Sequence, residues 1–246
     1  MHHLEHVPFY SDWPRGFKAN LVYVDPPRNK GVNEPILDDI DFQRFTIRWM
    51  QLCTGLLAND SRLIIFTDPG TRPVFERLLH AQAPGLVFSE EIIWNFNFGL
   101  YTRKRFVISH ENILVYKKGR PPFFWQAVAQ KSQRQQTGDA RADLRGRTPA
   151  DVWDIPRIPG NSAERDCFTG SDKRSCHPVE LSLRLVKAYT TPTDLIFEPF
   201  AHDGSLALTT KFLKRNYIGY HDNAQYIEDI RKRLIYPYIK LMKGEL

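Results

Sequence analysis

The stretch Leu21-Val22-Tyr23-Val24-Asp25-Pro26-Pro27-Arg28 constrains the fold of this chain more than any other. β-prone residues run directly into a carboxylate, and two prolines then stop the strand. Proline locks its own φ and drives the preceding residue out of the helical region, so the strand ends in a stiff elbow. In an open α/β sheet that elbow lies at the carboxyl edge, where ligands bind. Asp25 and the Pro26 carbonyl then form a rigid pair of acceptors, suited to hydrogen-bonding and orienting an exocyclic amine.

The rest of the chain supplies such a sheet. Residues 1–20 carry no clear periodicity, and the first expected strand is 20–24. In 38–57, Ile40, Phe42, Phe45, Ile47, Met50, Cys53 and Leu57 recur at roughly helical spacing. Residues 62–67 (RLIIFT) read as a buried strand ended by Asp68-Pro69-Gly70, and 71–82 as the next helix. Strands are expected at 87–96 and 105–116, separated by Gly99. Later come a helix at 179–189, a strand at 194–198, a turn through Pro199–Gly204 and a helix at 205–214. A strand at 217–220 and a helix at 224–236 close the chain. Strands alternating with helices predict βαβ units and an α/β fold with a mainly parallel twisted sheet.

Between residues 117 and 165 the hydrophobic periodicity is lost. Lys117, Lys118, Arg120, Lys131, Arg134, Arg141, Arg145, Arg147, Arg157 and Arg165 are interleaved there with glutamines and with Phe123, Phe124 and Trp125. This is either a solvated insertion or a nucleic-acid arm, in which cations neutralise phosphates while amides and aromatics meet bases. A net charge of +6 favours a polyanionic partner. No apolar run approaches the ~18 residues of a membrane span, and nothing resembles a signal peptide. Three cysteines without CxxC spacing point to a reducing compartment, so the expected location is the cytoplasm, or the nucleus of a eukaryote. Cys167, Cys176 and His177 make a weak case for zinc, and no metal is expected.

Two further stretches join the elbow. Val107–Lys118 (VISHENILVYKK) and His177-Pro178 both fall between it and the strand–helix turn Ile196–Gly204 (IFEPFAHDG). In this order the motifs resemble the β-class of amino-methyltransferases, DNA enzymes acting on adenine N6 or cytosine N4. There a catalytic Asp-Pro-Pro-Tyr precedes the target-recognition region and the cofactor motif comes last. Residues 109–118 are similar to the family's NHEYILVFxK and 196–204 to its VLDPFAGSG. Val152–Pro156 (VWDIP) also recurs in the family, and residues 215–233 are similar to its closing motif.

The resemblance implies a Rossmann-like methyltransferase fold with 1–118 as the catalytic half, 119–170 as a target-recognition insertion and 171–246 as the cofactor half. It implies S-adenosylmethionine as cofactor and DNA as partner, with a base flipped into the pocket. It also implies a homodimer or a heterodimer with another methyltransferase subunit. Asp25, Pro26, Pro27 and Arg28 would be catalytic. Asp25, His177, Glu198, Phe200, Ala201, Asp203, Gly204 and His221 would bind the cofactor, and Lys30, Arg120, Lys131, Arg134, Arg141, Arg145 and Arg147 the DNA. The acidic Asp25 resembles adenine-N6 members more than cytosine-N4 members, which often carry serine there.

This chain departs from the family pattern at both pockets. Arg28 stands where an aromatic residue would stack on the base. A guanidinium can stack too, but it can equally pair with a phosphate or with Asp25 and so silence the site. Glu198 replaces aspartate, and His202-Asp203-Gly204 replaces Gly-Ser-Gly. His221 replaces a glutamate that would bind the ribose, with Asp222 adjacent but pointing elsewhere on a regular strand. Leu181 and Ser182 replace Lys-Pro, which removes a cation. Three readings follow: an active enzyme with an unusual pocket, a catalytically silent homologue serving as a DNA-binding or partner subunit, or an enzyme that acts on RNA or uses another donor. His110-Glu111 is either structural or catalytic. Tyr101, Arg103, Lys104 and Arg105 either touch phosphate or form a solvated turn, and Trp49, Trp94 and Trp153 are expected in the core.

Overall fold

A computed structural model describes residues 2–6, 16–29, 37–96, 102–158 and 176–235. The strands are β1 (His2–His6), β2 (Ala19–Val24), β3 (Leu57–Thr67), β4 (Val87–Asn95), β5 (His110–Lys118), β6 (Val152–Asp154), β7 (Leu195–Glu198) and β8 (Asn216–His221). The helices are α1 (Asp39–Leu56), α2 (Arg72–Gln82), the single turn α3 (Gln133–Gln136), α4 (Val179–Tyr189), α5 (Ser205–Phe212) and α6 (Ala224–Ile235).

Local chemistry sets the element ends. Asp38 caps α1 by accepting from Asp41 N at 2.8 Å. One α1 face buries Phe42, Thr46, Trp49, Met50, Cys53 and Leu56; of the apolar residues read from sequence, Phe42, Met50 and Cys53 lie on it, Phe45 and Ile47 are partly buried, Ile40 is exposed and Leu57 opens β3. Before α2, the Asp68 carboxylate accepts from Gly70 N and from Thr71 N and Oγ1 at 2.8–3.3 Å, turning the chain off β3. α5 stops at Phe212, short of the expected 214, where Lys214 takes φ 57°.

The described strands form one eight-stranded sheet in the order β1-β8-β7-β2-β3-β5-β4-β6. Every neighbouring pair is parallel except those of β5, which runs antiparallel to both β3 and β4. On one face Val22, Val24, Leu63, Ile65, Leu114 and Phe197 pack with α1 and α2. On the other, Leu21, Tyr23, Ile64, Phe66, Ile113, Val115 and Ile196 pack with α4, α5 and α6. The alternation along β2 and β3 divides the two faces, as a period of two requires.

Other features also depart from the expected elements, among them β3, which begins at Leu57 rather than at 62. β1 pairs with β8 from a segment without readable periodicity. The strand expected at 105–116 begins only at His110. Residues 119–158 are no free arm. Arg62, 4% exposed, donates to the Pro121 and Pro122 carbonyls, and Phe124 N bonds Ala188 O at the end of α4. β6 extends the sheet beside β4, with Trp153 opposite Trp94. At the head of the segment Gly119 has φ +70°, and a Cβ there would meet Asp60 Oδ1 at 2.3 Å, so only glycine fits. Trp49, Trp94 and Trp153 are buried as expected.

Candidate functional site

The topology sets the position of the site. From β2 the chain passes through α1 to β3 on one side, and from β7 through α5 to β8 on the other. The connections therefore diverge between β2 and β7, and a crevice opens at their carboxyl ends. Asp25 leaves β2 at this point, and Glu198 is the last residue of β7. Because β5 runs antiparallel, its amino end reaches the same edge, with Asn112 opposite Thr67, and delivers Glu111 beside the elbow. His177 enters from the loop that starts α4.

These residues meet. Arg28 Nη2 donates to Asp25 Oδ1 and to Glu111 Oε2, both at 2.9 Å. His177 Nε2 lies 3.6 Å from Asp25 Oδ2 and 3.9 Å from Glu111 Oε2. The His177 ring stacks on Phe66 at 4.8 Å and meets Trp94 edge-on at 5.2 Å, which fixes its direction. Arg157 stands 3.8 Å over the Phe96 ring with its charge toward Glu111. Past the elbow, Asn29 takes φ 56° and its side chain bonds both Leu37 N and Leu37 O, pinning the ends of the following loop. Lys30 lies outside the described residues, as do Gly99, Tyr101, Arg165 and Cys167.

The charges are strongly biased. Burial alone would raise the Glu111 carboxyl, but Arg28, His177 and Arg157 hold it below the usual carboxylate range. Burial opposes the Arg28 charge, yet Glu111 and Asp25 hold its pKa well above the ordinary value. The pair is thus ionised. Tyr23, 2% exposed, has a hydroxyl without a hydrogen-bond partner among the described residues; burial and then the charges of Glu198, Asp25, Asp203 and Glu111 push its pKa well up. It faces the same crevice as Asp25, two residues along β2.

At the β7–α5 turn, Asp203 Oδ2 accepts from His177 N at 2.6 Å. Its Oδ1 accepts from Ser205 N and Oγ at 2.8 and 2.6 Å. Arg233, 2% exposed, donates to the Asp203 carbonyl and sits 4.0 Å from Oδ1. Burial would raise the Asp203 carboxyl, but Arg233, His177, His202 and Ser205 lower it. Gly204 caps α5 at φ +74°, where a Cβ would press on Ile230. His202 occupies the first position of the turn and lies against Tyr226, with its pKa lowered mainly by burial. His221 stacks on Tyr226 at 4.4 Å and accepts from Asn223 N, beside Asp222.

The residues named from sequence thus divide. Asp25, Arg28 and His177 converge, Asp203 joins them through His177 N, and Glu198 and His221 end β7 and β8 at the same sheet edge. Phe200 instead packs edge-on against Trp49 at 6.1 Å in the α1-side core, and Ala201 N bonds Tyr220 O. Leu181 and Ser182 are fully buried, Ser182 Oγ meeting Thr209 Oγ1 at 2.7 Å, so they fasten α4 to α5. Tyr23 is the addition, and Glu111, left open in the sequence between a structural and a catalytic role, joins the cluster through Arg28. Two of the arginines named for DNA are already paired, Arg141 with Asp139 and Arg145 with Asp143, in matching i,i+2 forks. Arg120, Lys131, Arg134 and Arg147 have no carboxylate partner among the described residues.

Glu198 accepts a hydrogen bond from Tyr217 Oη, and that phenol passes over Gly219, where any Cβ would collide with it. Burial first, with Asp203 and Asp25 adding, raises the Glu198 carboxyl well above its usual value against the Tyr217 bond. The protonated form is therefore the one the fold prefers. That contribution is complete below the unfolded value of about 4.3 and is lost as pH rises through the folded value. Glu198→Gln keeps the shape and removes the titration. It is expected to hold or raise the Tm at about pH 8 and to flatten the alkaline limb, as measured by thermal unfolding across pH.

The comparisons agree with this architecture. The sequence profile of the DNA methylase family, N6/N4 class, matches residues 19–232. The chain is 26% identical over 227 residues to the type II methyltransferase M.HpaI of Haemophilus parainfluenzae, covering 87% of this chain and 68% of that protein. It is 26% identical over 232 residues to M1.MboII of Moraxella bovis, covering 85% and 86%. The crystal structure of the M1.HpyAVI–SAM complex superposes with a TM-score of 0.63 at 19% identity, over 95% of this chain and 99% of that one. The chain belongs to the DNA methylase family.

Proposed function

We propose that this DNA methylase transfers a methyl group from S-adenosylmethionine to the N6 amine of adenine in DNA, on a base flipped out of the duplex. The observation that carries the reading is Asp25. Its carboxylate stands at the carboxyl edge beside the β2/β7 crevice, 21% exposed, on an elbow that two prolines make rigid. With the Pro26 carbonyl it would accept hydrogen bonds from the exocyclic amine and localise the lone pair on nitrogen. The catalytic contribution of these residues is positioning and electrostatics. The acidic side chain, rather than a serine, favours adenine N6 over cytosine N4.

The crevice has features that fit the cofactor. The orphaned Tyr23 hydroxyl is a buried donor in want of an acceptor such as a ligand carboxylate. The Asp25 carboxylate suits a sulfonium, and the His221–Tyr226 stack offers a flat ring face. Asp203 does not contribute directly, because its oxygens are already committed to His177 and Ser205. When bound, S-adenosylmethionine supplies an electrophilic methyl group. The exposed cations Lys131, Arg134 and Arg147 would contact phosphate along the 119–158 segment.

A second reading has its own observation: Arg28 already occupies Asp25 Oδ1. A silent subunit would keep that pair closed. Calorimetry with S-adenosylmethionine, followed by tritiated-methyl transfer to duplex DNA, separates the two. Binding with transfer is the expected result. No heat at millimolar cofactor overturns the active reading for the isolated chain, and binding without transfer supports the silent one.

A further inference from the structure

We propose that Glu111 is a positioning residue: it holds the Arg28 guanidinium while the entering amine takes Asp25, so the cation stays in the pocket as the plane on which the base stacks. This rests on the methyl-transfer reading above. One nitrogen, Arg28 Nη2, is shared between Asp25 Oδ1 and Glu111 Oε2 at equal distances of 2.9 Å. The two anchors differ in kind. Asp25 is three residues from Arg28 on the same elbow, whereas Glu111 comes from the amino end of β5, opposite Trp94 in the ladder. Arg28 itself, with Arg157 beyond it, holds Glu111 below the usual carboxylate range, and His177 Nε2 lies 3.9 Å from Glu111 Oε2.

This arrangement explains how a methylase tolerates arginine at an aromatic position. Without Glu111, the guanidinium would have to give up the Asp25 carboxylate whenever a base docked, weakening its pairing in an enclosed site. With Glu111 in place, Arg28 releases Asp25 and keeps its charge-assisted hydrogen bond to Glu111. Its planar group can then lie against the base. Asp25 oxygen lone pairs become accessible to the amine without expelling the cation.

The test compares transfer by the full chain carrying Glu111→Gln, Arg28→Tyr or both. Gln is isosteric but neutral, so of the two carboxylates only Asp25 remains to pair with Arg28. Glu111→Gln is expected to lower kcat on the order of tenfold, the loss of one charged hydrogen bond's bias. DNA affinity, set by phosphate contacts, should hold. In the Arg28→Tyr background the same substitution should lower kcat less than about threefold, because no guanidinium remains to be held. Equal losses in both backgrounds, or no loss in either, overturn the proposal. An independent arm records the Arg28 guanidinium 15N resonances without DNA, which should shift in Glu111→Gln. If wild type transfers no methyl group, the parent reading fails and this arm decides whether Glu111 holds Arg28. Unshifted resonances overturn it.

Discussion

Asp25→Ala is expected to lower methyl transfer to duplex DNA on the order of 10²–10³-fold while the protein stays folded. The magnitude is that of deleting one preorganised hydrogen-bonding group from a reacting centre. Asp25 is only partly buried, and removing it leaves Arg28 bound to Glu111, so no stranded charge destabilises the fold. The loss should fall mainly on kcat, because the amine is oriented only after the duplex is bound. Single-turnover transfer of a tritiated methyl group, with DNA affinity measured in parallel, checks this. Equal transfer by mutant and wild type would remove Asp25 from the reaction, and with it the amine-orienting role of the elbow.

The largest effect on stability is expected at Asp203. Its two oxygens accept from His177 N, Ser205 N and Ser205 Oγ, and Arg233 lies buried alongside. In Asp203→Asn the amide NH2 must face at least one of those donors, and Arg233 loses its nearby charge. Breaking a buried ion pair on one side typically costs about 3–5 kcal/mol. For a chain of this size that is roughly 6–20 °C in Tm. The pH dependence has a definite sign. Asp203 titrates lower folded than unfolded, so its contribution is present above the unfolded value of about 3.9 and is lost as pH falls through the folded value. The mutant should show a shallower acid limb in thermal unfolding below about pH 4. An unchanged Tm would mean the network holds nothing.

Much of this was legible in the residues. The Pro26-Pro27 stop placed Asp25 at the end of a strand, and the apolar spacing over 38–57 placed the first crossover helix. The order of motifs pointed to the family to which the chain belongs. Other residues misled for identifiable reasons. Phe200 sits inside a motif but points to the α1-side core, since the turn after β7 directs it there. Leu181 and Ser182 look like lost ligand residues and are packing residues of the α4–α5 contact. The 119–158 segment lacks periodicity because it adheres to the sheet edge through backbone carbonyls, β6 and cation–aromatic contacts, which leave no hydrophobic pattern.

What local chemistry determined, then, is the elbow, the alternation of strands and helices, and an acceptor aimed out of a sheet edge. These follow from steric and periodic preferences that neighbouring residues express by themselves. Only the tertiary structure decided what stands against the acceptor. Glu111 reaches Arg28 because β5 runs antiparallel, and Asp203 meets His177 because α4 packs on α5. Arg28 is shared between carboxylates 86 residues apart in sequence for the same reason. A guanidinium takes whatever counter-ion the fold brings within hydrogen-bond reach, and strand direction, which no local pattern contains, selects that counter-ion.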